Sequence, residues 1–247
     1  AVFAGLSVMS WLARLFRSAD ELPAPLAERL AAWRALPAAS ERVPLAEARF
    51  VVVDVETSGL DARRDRLLAI GAVAVEGRRL RPGQGFEATL QSPVASEREN
   101  ILVHGISPDA QARGLAPDEA LLQFLECAGR EVLVGFNAPF DQAVLDRALR
   151  EHLGVRLPNP WIDLAQLAPA LLPEARLAGR PLDDWLALFG LRAQSRHRAV
   201  FDAYATAELL LILLARAGAR GLTSVSQLRA ACEQQARISP GGGARGV

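Results

Sequence analysis

An α/β fold built on one mixed sheet is predicted by two features of the 247-residue sequence. Period-two and continuous β-branched runs occur three times between Phe50 and Leu90, separated by short connections. After them, apolar residues at helical spacing alternate with one further strand. The resulting order, βββαβα and then more helices, suits a sheet that opens with three antiparallel strands and carries helices packed on it. Composition agrees: 51% hydrophobic and 23% charged residues are ordinary globular proportions, which exclude wholesale disorder, a collagen-like chain and a disulfide scaffold.

The first strand is Phe50-Val51-Val52-Val53-Asp54-Val55-Glu56, the second runs from Leu67 to Val75 and the third from Phe86 to Leu90. Their connections, Ser58 to Asp65 and Glu76 to Gly85, are rich in Gly, Arg and Asp and favour hairpins. A helix near Asp118 to Arg130 is followed by a strand at Val132 to Phe136. The next helix, from about Pro139 to Leu153, lines Val144, Leu145, Ala148 and Leu149 on one face. Helices are also expected at Leu164 to Leu172, Leu182 to Phe189, about Arg198 to Ala217, and over residues 222–237, before a Gly-rich flexible tail from Ser239. No internal repeat is visible.

Ahead of the sheet, residues 9–49 carry two apolar sets at helical spacing: Trp11, Leu12, Leu15 and Phe16, then Leu26, Leu30, Ala31 and Trp33, broken by Pro23 and Pro25. Two short helices are expected, which either pack on the main body or dock a partner. Met9 is the only methionine, so residues 1–8 are set aside as an upstream extension. The expected organisation is a helical extension over 1–49, a main domain over 50–217, and a helix with a tail over 218–247.

Basic and acidic residues balance at 28 each, so no overall field draws in a polyanion and any nucleic-acid contact must come from a local site. Every basic residue is arginine, whose planar fork grips phosphate. Cys127 and Cys232 are too few and too far apart for a disulfide framework or a zinc cluster, and read as buried small hydrophobes. The most apolar run, Leu209 to Ala215, falls short of the ~18 residues of a membrane span. Arg14 and Arg17 follow the N-terminal apolar stretch, the wrong order for a secretory signal, so a cytoplasmic protein is expected.

Three places carry chemistry. Asp54 and Glu56 end the first strand at positions i and i+2, so both point to one face with Cα atoms roughly 7 Å apart. They follow four apolar residues, and two ionised acids beside a core cost several kcal/mol, which a divalent cation would remove. In Gly135-Phe-Asn-Ala-Pro-Phe-Asp141, Asn137 stands where an N-cap belongs and Asp141 falls in the first turns of a helix. In His197-Arg-Ala-Val-Phe-Asp202, Asp202 shares a helix face with Ala199, Ala205 and Thr206, a small-residue stripe that allows close approach to a sheet. Each feature has a plain structural explanation: a solvated strand end, a favourable helix dipole, a solvated loop histidine. Their combination points to a site.

Asp54-Val-Glu56-Thr-Ser-Gly-Leu60, Val103-His-Gly-Ile106, Asn137-Ala-Pro-Phe-Asp141 and His197-x4-Asp202 resemble, in that order, the motifs of the DEDDh (DnaQ-like) 3′-5′ exonucleases, above all the epsilon type of bacterial DNA polymerase III. The resemblance runs from about Phe50 to Ala217 and takes in Ala69-Ile-Gly-Ala-Val73 and Trp161-Ile-Asp163. It implies a ribonuclease H-like fold, in agreement with the βββαβα order. It also implies that Asp54, Glu56 and Asp202 hold Mg²⁺ or Mn²⁺, that Asp54 reaches a second such ion, that Asp141 acts largely through water, and that His197 is the general base. Thr57, Leu60, Glu99, His104, Asn137 and Phe140 would line the pocket for a terminal nucleotide. Ala69 and Phe136 stand where many relatives have Glu and His. The implied substrate is the 3′ end of single-stranded or frayed DNA, cut to nucleoside 5′-monophosphates, with a DNA polymerase or repair partner. RNA trimming, and a polymerase-docking module with secondary nuclease activity, are the alternatives.

Overall fold

The computed structural model describes residues 22–92, 98–192 and 198–238, with the backbone alone for 98 and 99. The helix expected within 9–21, His197, the Glu99 side chain and the tail from Ser239 lie outside the described residues. Five strands among the described residues form one sheet: β1 (Arg49–Thr57), β2 (Leu67–Glu76), β3 (Arg79–Thr89), β4 (Val132–Gly135) and β5 (Trp161–Asp163), in spatial order β3-β2-β1-β4-β5. The first three are antiparallel, whereas β4 runs parallel to β1 and β5 parallel to β4, which is the mixed α/β architecture expected. Helices are α1 (Ala24–Arg34), α2 (Arg98–His104), α3 (Pro108–Ala112), α4 (Pro117–Ala128), α5 (Ala138–Leu153), α6 (Leu164–Leu171), α7 (Leu182–Leu188), α8 (Ala199–Ala219) and α9 (Val225–Ile238). No described helix is long and apolar enough to cross a membrane.

β1 sits in the middle of the sheet and is buried on both faces, so it reads as a continuous apolar run rather than an alternating one. Its even residues, Phe50 and Val52, join a core with α6, α7, α8 and α9. Its odd residues, Val51, Val53 and Val55, join a second core with α4 and α5. Asp54 and Glu56 therefore continue the face covered by α8. The contact there is close. Gly71 pairs with Asp54 across β1 and β2, and a Cβ at Gly71 would lie 2.1 Å from the backbone carbon of Ala199 and 2.2 Å from the nitrogen of Val200. Only a glycine lets the first turn of α8 rest directly on the strand.

The expected helix around Leu30 and Trp33 is α1, and both side chains are buried in the core shared with α4 and α5. Arg29 bridges Glu119 and Glu126 of α4 at 2.9 and 2.7 Å, and the Trp33 indole N–H donates to the Gly129 carbonyl at 3.0 Å. This helix packs on the body. Neither Cys127 nor Cys232 forms a disulfide; Cys232 is buried as expected, whereas Cys127 is only partly buried, which corrects the expectation for it.

Three differences from the sequence reading have physical causes. β3 begins at Arg79 rather than Phe86 because Gly77 and Arg78 both take positive φ, 57° and 58°, the two-residue hairpin turn that matches strand twist. Its first half is an exposed edge rich in Arg, Gly and Pro, with a register shift between Ala72 and Ala74 of β2, so it carries no apolar signature. The helices α2 and α3 and the three-residue β5 were not expected, being too short for periodicity to register.

Replacing Gly71 with alanine should lift the start of α8 off β2, with an overpacking cost of roughly 1–3 kcal/mol. Urea denaturation would read the loss. Wild-type stability in that variant would mean that α8 can shift without penalty.

Candidate active site

The end of β1 and the first turn of α8 bring Asp54, Glu56 and Asp202 together, with one carboxylate oxygen of each within 4.8 Å of the others. Asp202 is 5% exposed, while Asp54 and Glu56 are partly buried. At that separation each ionised pair repels by roughly 3 kcal/mol, taking an effective dielectric constant of about 20. Burial of Asp202 adds a desolvation cost. A cation among the three removes both terms. The donor set is three carboxylate oxygens, a hard ligand set that suits Mg²⁺ or Mn²⁺ better than zinc or copper. Ala69 pairs with Glu56 across the strands and adds no charge.

Asp141 reaches the same place by another route. Beyond the β1–β4 pairing, which spans Phe50 to Val52, the Val55 N–H donates to Asp141 Oδ1 at 3.2 Å. The fourth acid is thus fastened to the backbone between Asp54 and Glu56. It is buried, and burial pushes its pKa up to about 8 despite the N–H groups of Val55 and its own backbone; the charges of Asp163 and Glu56 push the same way. Its position reflects tertiary packing as well as the helix dipole. A Cβ at Gly135 would lie 3.2 Å from that of Ala138, so α5 begins almost on top of the end of β4.

Asn137 occupies the N-cap position of α5 but its side chain makes no capping bond, which corrects the simple expectation of an Asn cap. Its backbone is left-handed, φ 62° and ψ 40°, at a cost of about 1 kcal/mol for a residue with a Cβ. The bonds that serve as the cap come from Asp163, an acid the sequence reading quoted without a role. Its Oδ1 accepts the N–H of Asn137 at 3.0 Å, of Ala138 at 3.3 Å and of Ala165 at 3.0 Å.

The remaining expected residues differ in exposure and in what holds them. Thr57 closes β1 and donates its hydroxyl to the Gly59 carbonyl at 2.5 Å. Leu60 is 71% exposed on the loop after β1. That loop is held by Asp65, which accepts from Ser58 Oγ at 3.2 Å and from the Asp61 N–H at 2.7 Å, and by Arg147, which donates to the carbonyls of Ala62 and Asp65. Asn100 of α2 donates to the Ser58 carbonyl at 2.5 Å and ties this loop to the helix that ends in His104. His104 is buried, its Nδ1 accepts the Ile106 N–H at 3.0 Å, and burial lowers its pKa, which fixes a neutral imidazole with the proton on Nε2. Asn137 is exposed and Phe140 is partly buried against the α4–α5 core.

The mixed sheet with carboxylates gathered at the end of its central strand gives a candidate metal site, and comparison with known proteins supplies the class. The RNase_T exonuclease family model matches residues 51–210, and the chain belongs to that family. It is 34% identical over 181 residues to the PolC-type DNA polymerase III of Bacillus subtilis, covering 72% of this chain and 12% of the relative. It is 33% identical over 199 residues to a DNA polymerase III subunit epsilon-like protein of Rhodobacter capsulatus, covering 79% of this chain and 28% of the relative. The chain thus spans only about an eighth of the length of the PolC-type relatives, 12% for the B. subtilis protein. Among solved structures, exonuclease X in complex with 5′-overhanging duplex DNA aligns with TM-score 0.58 at 21% identity, over 74% of this chain and 99% of that one. Escherichia coli exonuclease I with single-stranded DNA aligns with TM-score 0.58 at 20% identity, over 69% of this chain and 41% of that one. These structures share the fold.

Two measurements test the electrostatics. Mn²⁺ at a hundredfold excess over its Kd should stabilise the protein by about 2.7 kcal/mol and should do little for Asp202→Asn. In chelator, that variant should be at least as stable as wild type, because it removes like-charge repulsion. Asp141 gives a pH signature. Its folded pKa of about 8 exceeds the ordinary 3.8, so between those values the native state binds more protons than the unfolded chain. Stability in chelator should therefore fall as pH rises from about 5 to about 8, and Asp141→Asn should remove most of that slope. A flat profile for the wild-type protein would contradict the burial of this acid.

Proposed function

We propose that the chain is a metal-dependent 3′-5′ exonuclease that removes nucleoside 5′-monophosphates from single-stranded or frayed DNA ends, in proofreading or repair. The observation that carries this reading is the convergence of Asp54, Glu56 and Asp202 within 4.8 Å. The polymerase names of the relatives and the DNA in the complexes of the fold neighbours favour DNA as substrate and a polymerase or repair assembly as partner.

In this reading Asp54, Glu56 and Asp202 would hold two divalent cations, and Asp141, anchored on the Val55 N–H, would orient water beside them. When bound, such ions would supply activation of the attacking water and stabilisation of the departing 3′ oxygen. His197 would take the proton of that water, the general-base role that an imidazole can fill near neutral pH. Thr57, Leu60, Glu99, His104, Asn137 and Phe140 receive the terminal nucleotide. The exposed Leu60 offers apolar surface on which any base can stack, so sequence preference should be slight.

A 5′-labelled oligonucleotide with Mg²⁺ or Mn²⁺ should be shortened stepwise by the wild-type protein and left intact by Asp54→Asn. No shortening in either metal would reject the proposal, and faster trimming of matched RNA would move the substrate class. His197→Ala should keep the Mn²⁺-induced stabilisation while losing at least ~100-fold in kcat. Equal loss of metal binding and turnover would show that His197 is not the base.

A further inference from the structure

We infer that Asp163 is a positioning residue for this site: one carboxylate oxygen on β5 sets the start of α5 and thereby the place of Asp141 beside β1. The inference deepens the exonuclease reading and rests on it only in its kinetic part.

The geometry runs through three elements. Parallel pairing of β4 with β5 puts Gly135 opposite Asp163, so the last residue of β4 and this carboxylate lie side by side. Within two further residues the chain must turn from strand to helix, and it does so through the left-handed Asn137. Asp163 Oδ1 receives the N–H groups of both Asn137 and Ala138, the N-cap and first residue of α5, at 3.0 and 3.3 Å. These donors would otherwise lack helical partners. One turn along α5, Asp141 accepts the Val55 N–H at 3.2 Å. Asp163 therefore has two routes to the Val55 amide, through the start of α5 that it holds and through its charge beside Asp141, and only the first survives replacement by asparagine.

The same oxygen also caps α6 through the Ala165 N–H, and this permits the two roles to be separated. Asparagine keeps an acceptor at the same reach and should preserve all three bonds. Serine is a good N-cap for α6 but is too short to span to Asn137 and Ala138. Alanine would remove the cap as well and risks the fold, so serine is the informative variant.

Amide hydrogen exchange of the full chain in chelator, followed by single-turnover kinetics, tests the inference. Asp163→Ser should speed exchange at Asn137, Ala138 and Val55 while leaving Val51 and Val53 protected. It should lower the rate of the chemical step by ~100-fold, the scale expected when a reacting group is misplaced by about 1 Å. Asp163→Asn should restore both. Wild-type exchange at Val55 in the serine variant would overturn the inference. So would uniform acceleration along β1, which signals ordinary destabilisation, or failure of asparagine to rescue, which would assign the effect to charge. If wild-type protein cuts no oligonucleotide, the exonuclease reading fails while the exchange data still decide the positioning role.

Discussion

The active site depends on how closely α8 can lie against the sheet. A carboxylate on a helix meets two on a strand only if the helix backbone comes within contact distance of the strand, and the missing Cβ at Gly71 allows this directly opposite Asp54. On the helix side Ala199 meets Gly71 directly, and the small residues Ala205 and Thr206 of α8 are buried. The apolar cores hold that geometry from both faces of β1, and they offset the repulsion among the acids when no ion is present. Binding strength at the acids is thus stored in packing that lies mostly away from them.

Much of this was legible in the sequence because two periodicities meet at the site. Alternation along β1 places Asp54 and Glu56 on one face, and the small-residue stripe of α8 marks where Asp202 must approach. Less legible were the contributions of backbone and tertiary contact. Asp163 lies in a three-residue strand whose pairing with β4 gives it its role, and no local pattern identifies an acid that serves another element's helix. Gly71 reads as one more small residue in an apolar strand until α8 is laid over it. Asn137 did stand at the helix start, yet its side chain leaves the capping to a residue 26 positions away.

The balance of charge across the molecule makes the local arrangement more telling. With 28 basic and 28 acidic residues, attraction for a polyanion has no global source. Negative charge is nevertheless gathered at Asp54, Glu56 and Asp202, an arrangement that opposes any anionic ligand there unless cations offset it. In the proposed reading, substrate affinity and metal occupancy would be coupled through this charge.

The stretch matched by the family model, residues 51–210, is smaller than the body that shelters it. Leu22, Leu30 and Trp33 close one core from the N-terminal side, and Val225, Leu228 and Cys232 close the other from the C-terminal side. A fragment trimmed to that stretch would return greasy patches on both flanks to solvent and invite aggregation. Grafting this nuclease onto another scaffold therefore means carrying its two outer helices along.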